Sequence, residues 1–341
     1  MPMLSTLRSG TRRWNAELPP VVRRWWRPAL GLTVTVAILV TLRDQLPDLS
    51  SLLTVWQDVD LRWAAAAVTA GLLSQAAFAE QQRLLLSGLG VRLPRDSAVA
   101  LTISGAAVSM AVPAGAAVAT AFTFRTFRRY GASTAVATAV TVVSGVISIL
   151  SLALLYTLGW LVRSDVAATV QVPEVLGVAA VLVAAVVAGR MLWRRRPAVP
   201  VGPDSRLGRL LAAAGRTTRE MAALPPRRWA SVVAAGMTKW VLDLFCLAAA
   251  ATACHATLGW WRIAVIYLGI QIVRQIPLTP GGTGLIEVGM LAALVAAGCS
   301  HPVAAAVVVL YRLISMWLVL LMGMPAYLWL RRDWAQPATS S

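Results

Sequence analysis

At 341 residues, 58% of them hydrophobic and only 13% charged, the chain is too apolar for an ordinary soluble domain, and its mean hydropathy of +0.70 points to a membrane protein. A formal net charge of +17 and an isoelectric point near 11.5 would suggest nucleic acid in a soluble protein. Nearly all the arginines flank apolar segments, however, so their pull is toward anionic lipid headgroups, and no nucleic-acid partner is expected.

The N-terminal arm, residues 1–27, carries Arg8, Arg12, Arg13, Arg23, Arg24 and Arg27 without an early apolar run or a small-residue cleavage site. It reads as a cytoplasmic, interface-bound arm rather than a signal peptide. Spanning helices need about 20 apolar residues to cross roughly 30 Å of hydrocarbon. Stretches that meet this requirement lie at 28–46, 62–82, 132–161, 173–193, 228–254 and 302–330. Two further apolar regions, 97–124 and 262–298, are broken at their centres, the first by Pro113-Ala-Gly115 and the second by Pro277-Leu-Thr279-Pro280-Gly281-Gly282-Thr283-Gly284. Each half is too short to cross, so each region is expected to enter and leave on one side as a pair of half-helices. Residues 194–228 form a basic loop in which Leu207, Leu210, Leu211 and Met221 share one helical face, as expected of an amphipathic helix on cytoplasmic headgroups. Residues 331–341 form a cytoplasmic tail.

Arginine placement agrees with this topology. Arg92, Arg95, Arg125, Arg128, Arg129, the loop from Arg194 to Arg228, and Arg331 with Arg332 fall inside, whereas Asp44, Asp48, Asp58, Asp60, Asp165 and Glu174 fall outside. Both termini are therefore expected in the cytoplasm. Trp25, Trp63, Trp160, Trp260 and Trp329 lie near segment ends, where indoles favour the interface. Cys246, Cys254, Cys299, His255 and His301 show no metal-ligand spacing, and no nucleotide-binding loop is present, so neither a metal nor a cofactor is expected.

Superposing residue 113 on residue 280 pairs Pro113 with Pro280, Gly115 with Gly282, Gly131 with Gly298, Ser133 with Ser300 and Ile147 with Ile314. Each copy has the same layout of half-helix, Pro-Gly break, half-helix, glycine turn and long helix. An odd number of expected crossings separates the two breaks, so the repeats are read as inverted. The expected fold is an all-α polytopic membrane protein with about six spanning helices and two re-entrant half-helix pairs, an architecture recurrent in secondary transporters.

Ionisable groups at bilayer depth cost about 2.5–3.5 kcal/mol each, so those that remain are candidate functional groups. Arg274 precedes the second break, Glu287 falls in the first turn of the helix leaving it, and Arg312 lies within the last span. With the backbone of Thr279, Gly281, Gly282, Thr283 and Gly284 they suit a phosphate or carboxylate headgroup, because glycines expose successive N–H groups and arginine offers a planar fork of donors. A structural ion pair between Glu287 and an arginine is the alternative. Secondary candidates are Pro113 and Gly115 in the first break, Lys239 and Asp243, whose i, i+4 spacing would let them satisfy each other, and Glu80 beside Arg83 near a cytoplasmic helix end.

Pro277 through Glu287, followed by Gly298 and Tyr311-Arg312, resembles the late motif of the flippase-like transmembrane region of lysylphosphatidylglycerol synthases, and the resemblance runs over residues 28–330. The first break departs from it, since Pro113-Ala-Gly115-Ala-Ala-Val-Ala-Thr120 is nearly all small and apolar where members often carry polar residues. The resemblance implies movement of an anionic or modified lipid (glycolipid, aminoacylated or polyprenyl-phosphate) between leaflets of the bacterial inner membrane. It implies no catalysis by this chain, which ends shortly after its last helix without the aminoacyl-transferase part. A non-transporting membrane partner of a lipid or glycan biosynthetic enzyme is the alternative, and a membrane-embedded transferase the next, although no paired acids or His-based site is visible.

Overall fold

The computed structural model describes residues 56–111, 115–161, 217, 220–221, 223–274 and 284–335, and every regular element among them is helical. The helices are α1 (Leu61–Gly88), α2 (Arg95–Ala111), α3 (Gly115–Arg129), α4 (Thr134–Leu161), α5 (Pro226–Ala253), α6 (Trp260–Arg274), α7 (Leu285–Ala296) and α8 (His301–Arg312). The last of these passes through a π-helical turn, Leu313–Leu318, into α9 (Val319–Ala335). The spans expected at 28–46 and 173–193, the N-terminal arm and most of the 194–228 loop lie outside the described residues, as does the tail beyond 335.

Local chemistry accounts for the helix ends. The Asp60 carboxylate accepts from the N–H of Arg62 at 2.8 Å to start α1, and α5 starts at the Pro225-Pro226 pair, where a missing N–H costs nothing. Each broken region holds two separate helices, α2 and α3 in the first and α6 and α7 in the second. A Cβ on Gly115 would collide with the carbonyl of Ser109, so only glycine lets α3 fold back this closely on α2.

Helices α1 and α5, each 28 residues long, pack together along their length and run antiparallel. The N–H of Asp60 donates to the carbonyl of Ala253 at 3.0 Å at one end, and Gly88 faces Leu224 and Arg228 at the other. Midway, the Ser74 hydroxyl donates to the carbonyl of Lys239 at 2.9 Å, across a sequence separation of 165. That same separation relates the first residues of the two helices, and it relates Gly71 to Gly236. A Cβ on Gly71 would lie 2.7 Å from Ile314 Cγ2 and 3.5 Å from Cys246 Sγ; one on Gly236 would lie 3.3 Å from Ile147 Cγ2 and 3.1 Å from Gln81 Oε1. Ile147 and Ile314 are partners in the sequence repeat, and each fills the glycine notch of the opposite half.

The turns repeat as well. Gly131 and Gly298 have φ of +87° and +101°, and each sits in a turn closed by the same bond, Ala132 N–H to Phe127 C=O at 3.0 Å and Cys299 N–H to Leu294 C=O at 3.1 Å. Gly90 and His255, at φ +78° and +56°, end α1 and α5 in the same way. His255 adopts this conformation without being glycine, and its ring Nε2 contacts the carbonyl of Asp58 at 2.8 Å. The described residues form two apolar cores: one joins α5–α8 to the start of α1, and the other joins α2–α4 to the end of α1, with Val232 of α5 and Leu330 of α9.

Three of the described helical stretches are long and apolar enough to cross a membrane: Thr134–Thr157, Pro226–Ala253 and His301–Arg332. Helix α1 is long enough, at about 1.5 Å per residue, but carries Gln81 and Gln82, both buried against neighbouring helices.

Candidate functional site

Beyond Arg262 in its first turn, helix α6 is apolar apart from Tyr267, Gln271 and Arg274, whose i, i+4, i+7 spacing aligns them on one face. That face meets Asp243 of α5. The Asp243 carboxylate is buried; its Oδ2 accepts from the Tyr267 hydroxyl at 2.7 Å and from Gln271 Nε2 at 3.1 Å, and its Oδ1 accepts from the Tyr311 hydroxyl at 3.3 Å. Three neutral donors around one carboxylate replace much of the water it would have lost on burial. They also tie α5 to α6 and to α8.

One residue beyond Tyr311, Arg312 pairs with Glu287 of α7, with Nε 2.6 Å from Oε1. The other Glu287 oxygen accepts from the N–H of Gly284 at 2.7 Å, so the carboxylate both pairs an arginine and caps the N-terminus of α7. Arg312 is 6% exposed and Glu287 31%, which leaves the site closed on the α8 side and open on the α7 side. Arg312 Nη2 also reaches Met316 Sδ at 2.9 Å within the π-helical turn. Arg274, at the end of α6, is partly accessible and lies within electrostatic reach of Asp243 and Glu287.

The sequence candidates therefore divide. Arg274, Gly284, Glu287 and Arg312 come together at the second break; Thr279, Gly281, Gly282, Thr283 and Pro113 lie outside the described residues. Gly115 lines the turn of the first break, where its role is close packing. Glu80 binds Arg83 through both carboxylate oxygens, with Arg95 Nε 3.8 Å away, and so belongs to a separate charged group. Asp243 is held by tyrosines and a glutamine instead of by Lys239, whose ammonium lies over the Trp240 ring. Tyr267 and Gln271 are additional to the sequence candidates, and their signal was the polar stripe on α6.

The repeat makes the asymmetry of this site measurable. Positions equivalent to Asp243, Tyr267, Gln271 and Arg274 in the first half are Phe78, Thr102, Ala106 and Ser109; those equivalent to Glu287, Tyr311 and Arg312 are Thr120, Ser144 and Gly145. One half thus carries all the charge of the site, and the other offers a phenylalanine, hydroxyls and small residues at the matching positions.

Among known proteins, the family described as "Lysylphosphatidylglycerol synthase TM region" matches residues 29–323. A UPF0104 membrane protein of Methanothermobacter thermautotrophicus (strain Delta H) is 33% identical over 87 residues, a stretch covering 26% of this chain and 26% of that protein. With the family match extending over most of the chain, and membrane-length helices within it, the protein is a membrane protein that belongs to the lysylphosphatidylglycerol synthase TM-region family.

Proposed function

We propose that the protein moves a lipid with an anionic headgroup between membrane leaflets, as a flippase or scramblase, and is not itself an enzyme. The carrying observation is the meeting of Arg274 and Arg312, from two helices, at the N-terminus of α7, where Glu287 occupies the position an incoming phosphate would take. Arginine forks and a helix N-terminus both favour a phosphate, and Glu287 opens to solvent on one side.

Alternation between two open sides is supported by the antiparallel pairing of α1 with α5 and by the equivalent contacts of Gly71 and Gly236, which suit inverted repeats about an axis in the membrane plane. Orientation has support of its own. Trp63, Phe245 and Trp260 cluster at one end of the α1–α5 pair, with ring centroids 5.9 and 6.3 Å apart, and their repeat equivalents at the other end are Arg228, Glu80 and Arg95. An aromatic end outside and a basic end in the cytoplasm of a bacterial inner membrane match the positive-inside rule, with both termini cytoplasmic.

Vesicles containing the purified chain and leaflet-labelled lipids test the proposal. Wild type should redistribute label without altering lipid chemistry, and Arg312→Lys, which keeps charge but loses the fork, should slow it about tenfold at unchanged stability. Wild-type vesicles that move no lipid would instead favour a non-transporting partner of a biosynthetic enzyme, and altered lipid chemistry a transferase. In a background without the native cysteines, single cysteines replacing Arg129 and Ser300 should label from the cytoplasm and the exterior respectively; same-side labelling would end the inverted arrangement.

A further inference from the structure

The two ends of the α1–α5 pair are built from repeat-equivalent residues but are tied differently. At the aromatic end, the segment leading into α1 lies against the turn that ends α5. The N–H of Asp60 donates to the carbonyl of Ala253 at 3.0 Å, and His255 Nε2 lies 2.8 Å from the carbonyl of Asp58. A carbonyl only accepts, so Nε2 carries the hydrogen of this second bond. At the basic end the repeat places Pro225 and Gly88 where Asp60 and Ala253 stand, and Ala223 and Gly90 where Asp58 and His255 stand. Proline has no N–H to donate and glycine has no ring, so neither tie can form there.

The turn itself does not need the His255 side chain. His255 N–H bonds the carbonyl of Thr252 at 3.0 Å and Ala256 N–H that of Ala251 at 2.9 Å; Gly90 and Val91 make the same two bonds, to Ser87 at 3.3 Å and to Leu86 at 3.0 Å. Nor does space select glycine at position 90, since a Cβ there would meet nothing within 4 Å. What favours glycine at both positions is the left-handed φ, and at 255 a side chain is kept in spite of it. The bond to Asp58 is what that side chain adds, and it offsets the strained backbone. His255 is exposed, whereas Ala253 and Cys254 just before it are fully enclosed and Val59 packs on the same core.

We infer that His255 is a releasable catch that holds the aromatic ends of α1 and α5 together, a conformational device with no counterpart at the basic end. Its single side-chain bond can break without disturbing either helix or the turn, and the Asp60 backbone bond is then left to hold the joint alone. At the basic end the contact is side-chain packing instead, with Leu224 and Arg228 against Gly88. The catch belongs to this joint and does not depend on what the protein moves.

Two native thiols supply the test. Cys254, 1% exposed, reports the joint, and Cys246, 0% exposed further along α5, reports general unfolding. Purified protein in detergent micelles is treated with a maleimide, and the labelling of each cysteine is followed by mass spectrometry. His255→Gly keeps the backbone conformation and removes the ring, so Cys254 should label about three- to tenfold faster, as loss of one hydrogen bond implies, while Cys246 is unchanged. Hydrogen exchange of the Asp60 amide should accelerate by a similar factor, and that of the Ala256 amide, which closes the turn, should not. His255→Ala, which loses the ring but keeps a side chain on the left-handed backbone, should melt below His255→Gly. Unchanged labelling of Cys254 in His255→Gly would overturn the catch. Equal acceleration of Cys254 and Cys246, or a variant that no longer folds, would overturn it as well, because the ring would then support the whole fold instead of one joint.

Discussion

Glu287→Gln removes one charge and almost no volume. It leaves a guanidinium that is 6% exposed without its carboxylate, which for a fully buried pair costs about 3–5 kcal/mol. Glu287 is 31% exposed, so water can approach from its side, and exposed pairs contribute only about 0–1 kcal/mol. The amide oxygen of the substituted side chain can still accept from Gly284, so most of the α7 cap survives. The expected loss therefore lies between these limits, at about 2 kcal/mol. Arg312→Leu should cost less, about 1 kcal/mol, because the carboxylate left behind keeps its cap and its solvent. The double variant should lose clearly less than the two single losses summed, with a coupling of about 1–2 kcal/mol. Reversible unfolding in mixed micelles measures all four proteins. Losses that add to within about 0.5 kcal/mol would refute the pairing, since residues that do not interact behave that way.

Two further sets of variants probe the surroundings. Tyr267→Phe should cost about 1.5–3 kcal/mol by deleting the 2.7 Å bond to Asp243, and Tyr311→Phe, whose bond is 3.3 Å, should cost less; equal losses in the same unfolding assay would contradict the geometry. Gly71→Ala should destabilise by about 1–3 kcal/mol through contact with Ile314 Cγ2, and Ile314→Val should recover part of that loss in the melting temperature. Gly236→Ala meets Ser151 Oγ first, at 2.9 Å, so Ser151→Ala rather than a change at Ile147 should relieve it.

Much of the helical plan was legible because its signals are local. Apolar length marks a helix, a Pro-Gly break ends one, and glycine at a turn needs no neighbour to explain its φ. The start of α7 at Leu285 and the position of Glu287 in its first turn follow from such rules. The pairing proposed for Lys239 and Asp243 rested on the same local logic, and there it did not hold. Spacing of i, i+4 makes contact possible, but the tyrosines and glutamine of other helices reach the carboxylate first.

Composition and the apolar segments thus determined by themselves that the chain is a helical membrane protein, with Arg274, Glu287 and Arg312 flanking the second break. Tertiary structure alone decided how that charge is partnered. Asp243 and Tyr311 are 68 residues apart and Ser74 and Lys239 are 165 apart, so neither contact is encoded by the periodicity of one helix. The first is made where α5 meets α8 and the second where α1 packs on α5, and the absence of a side chain at Gly71 and Gly236 leaves room there for Ile314 and Ile147. Periodicity fixes which residues share a face; only close packing between distant helices determines which face each one meets.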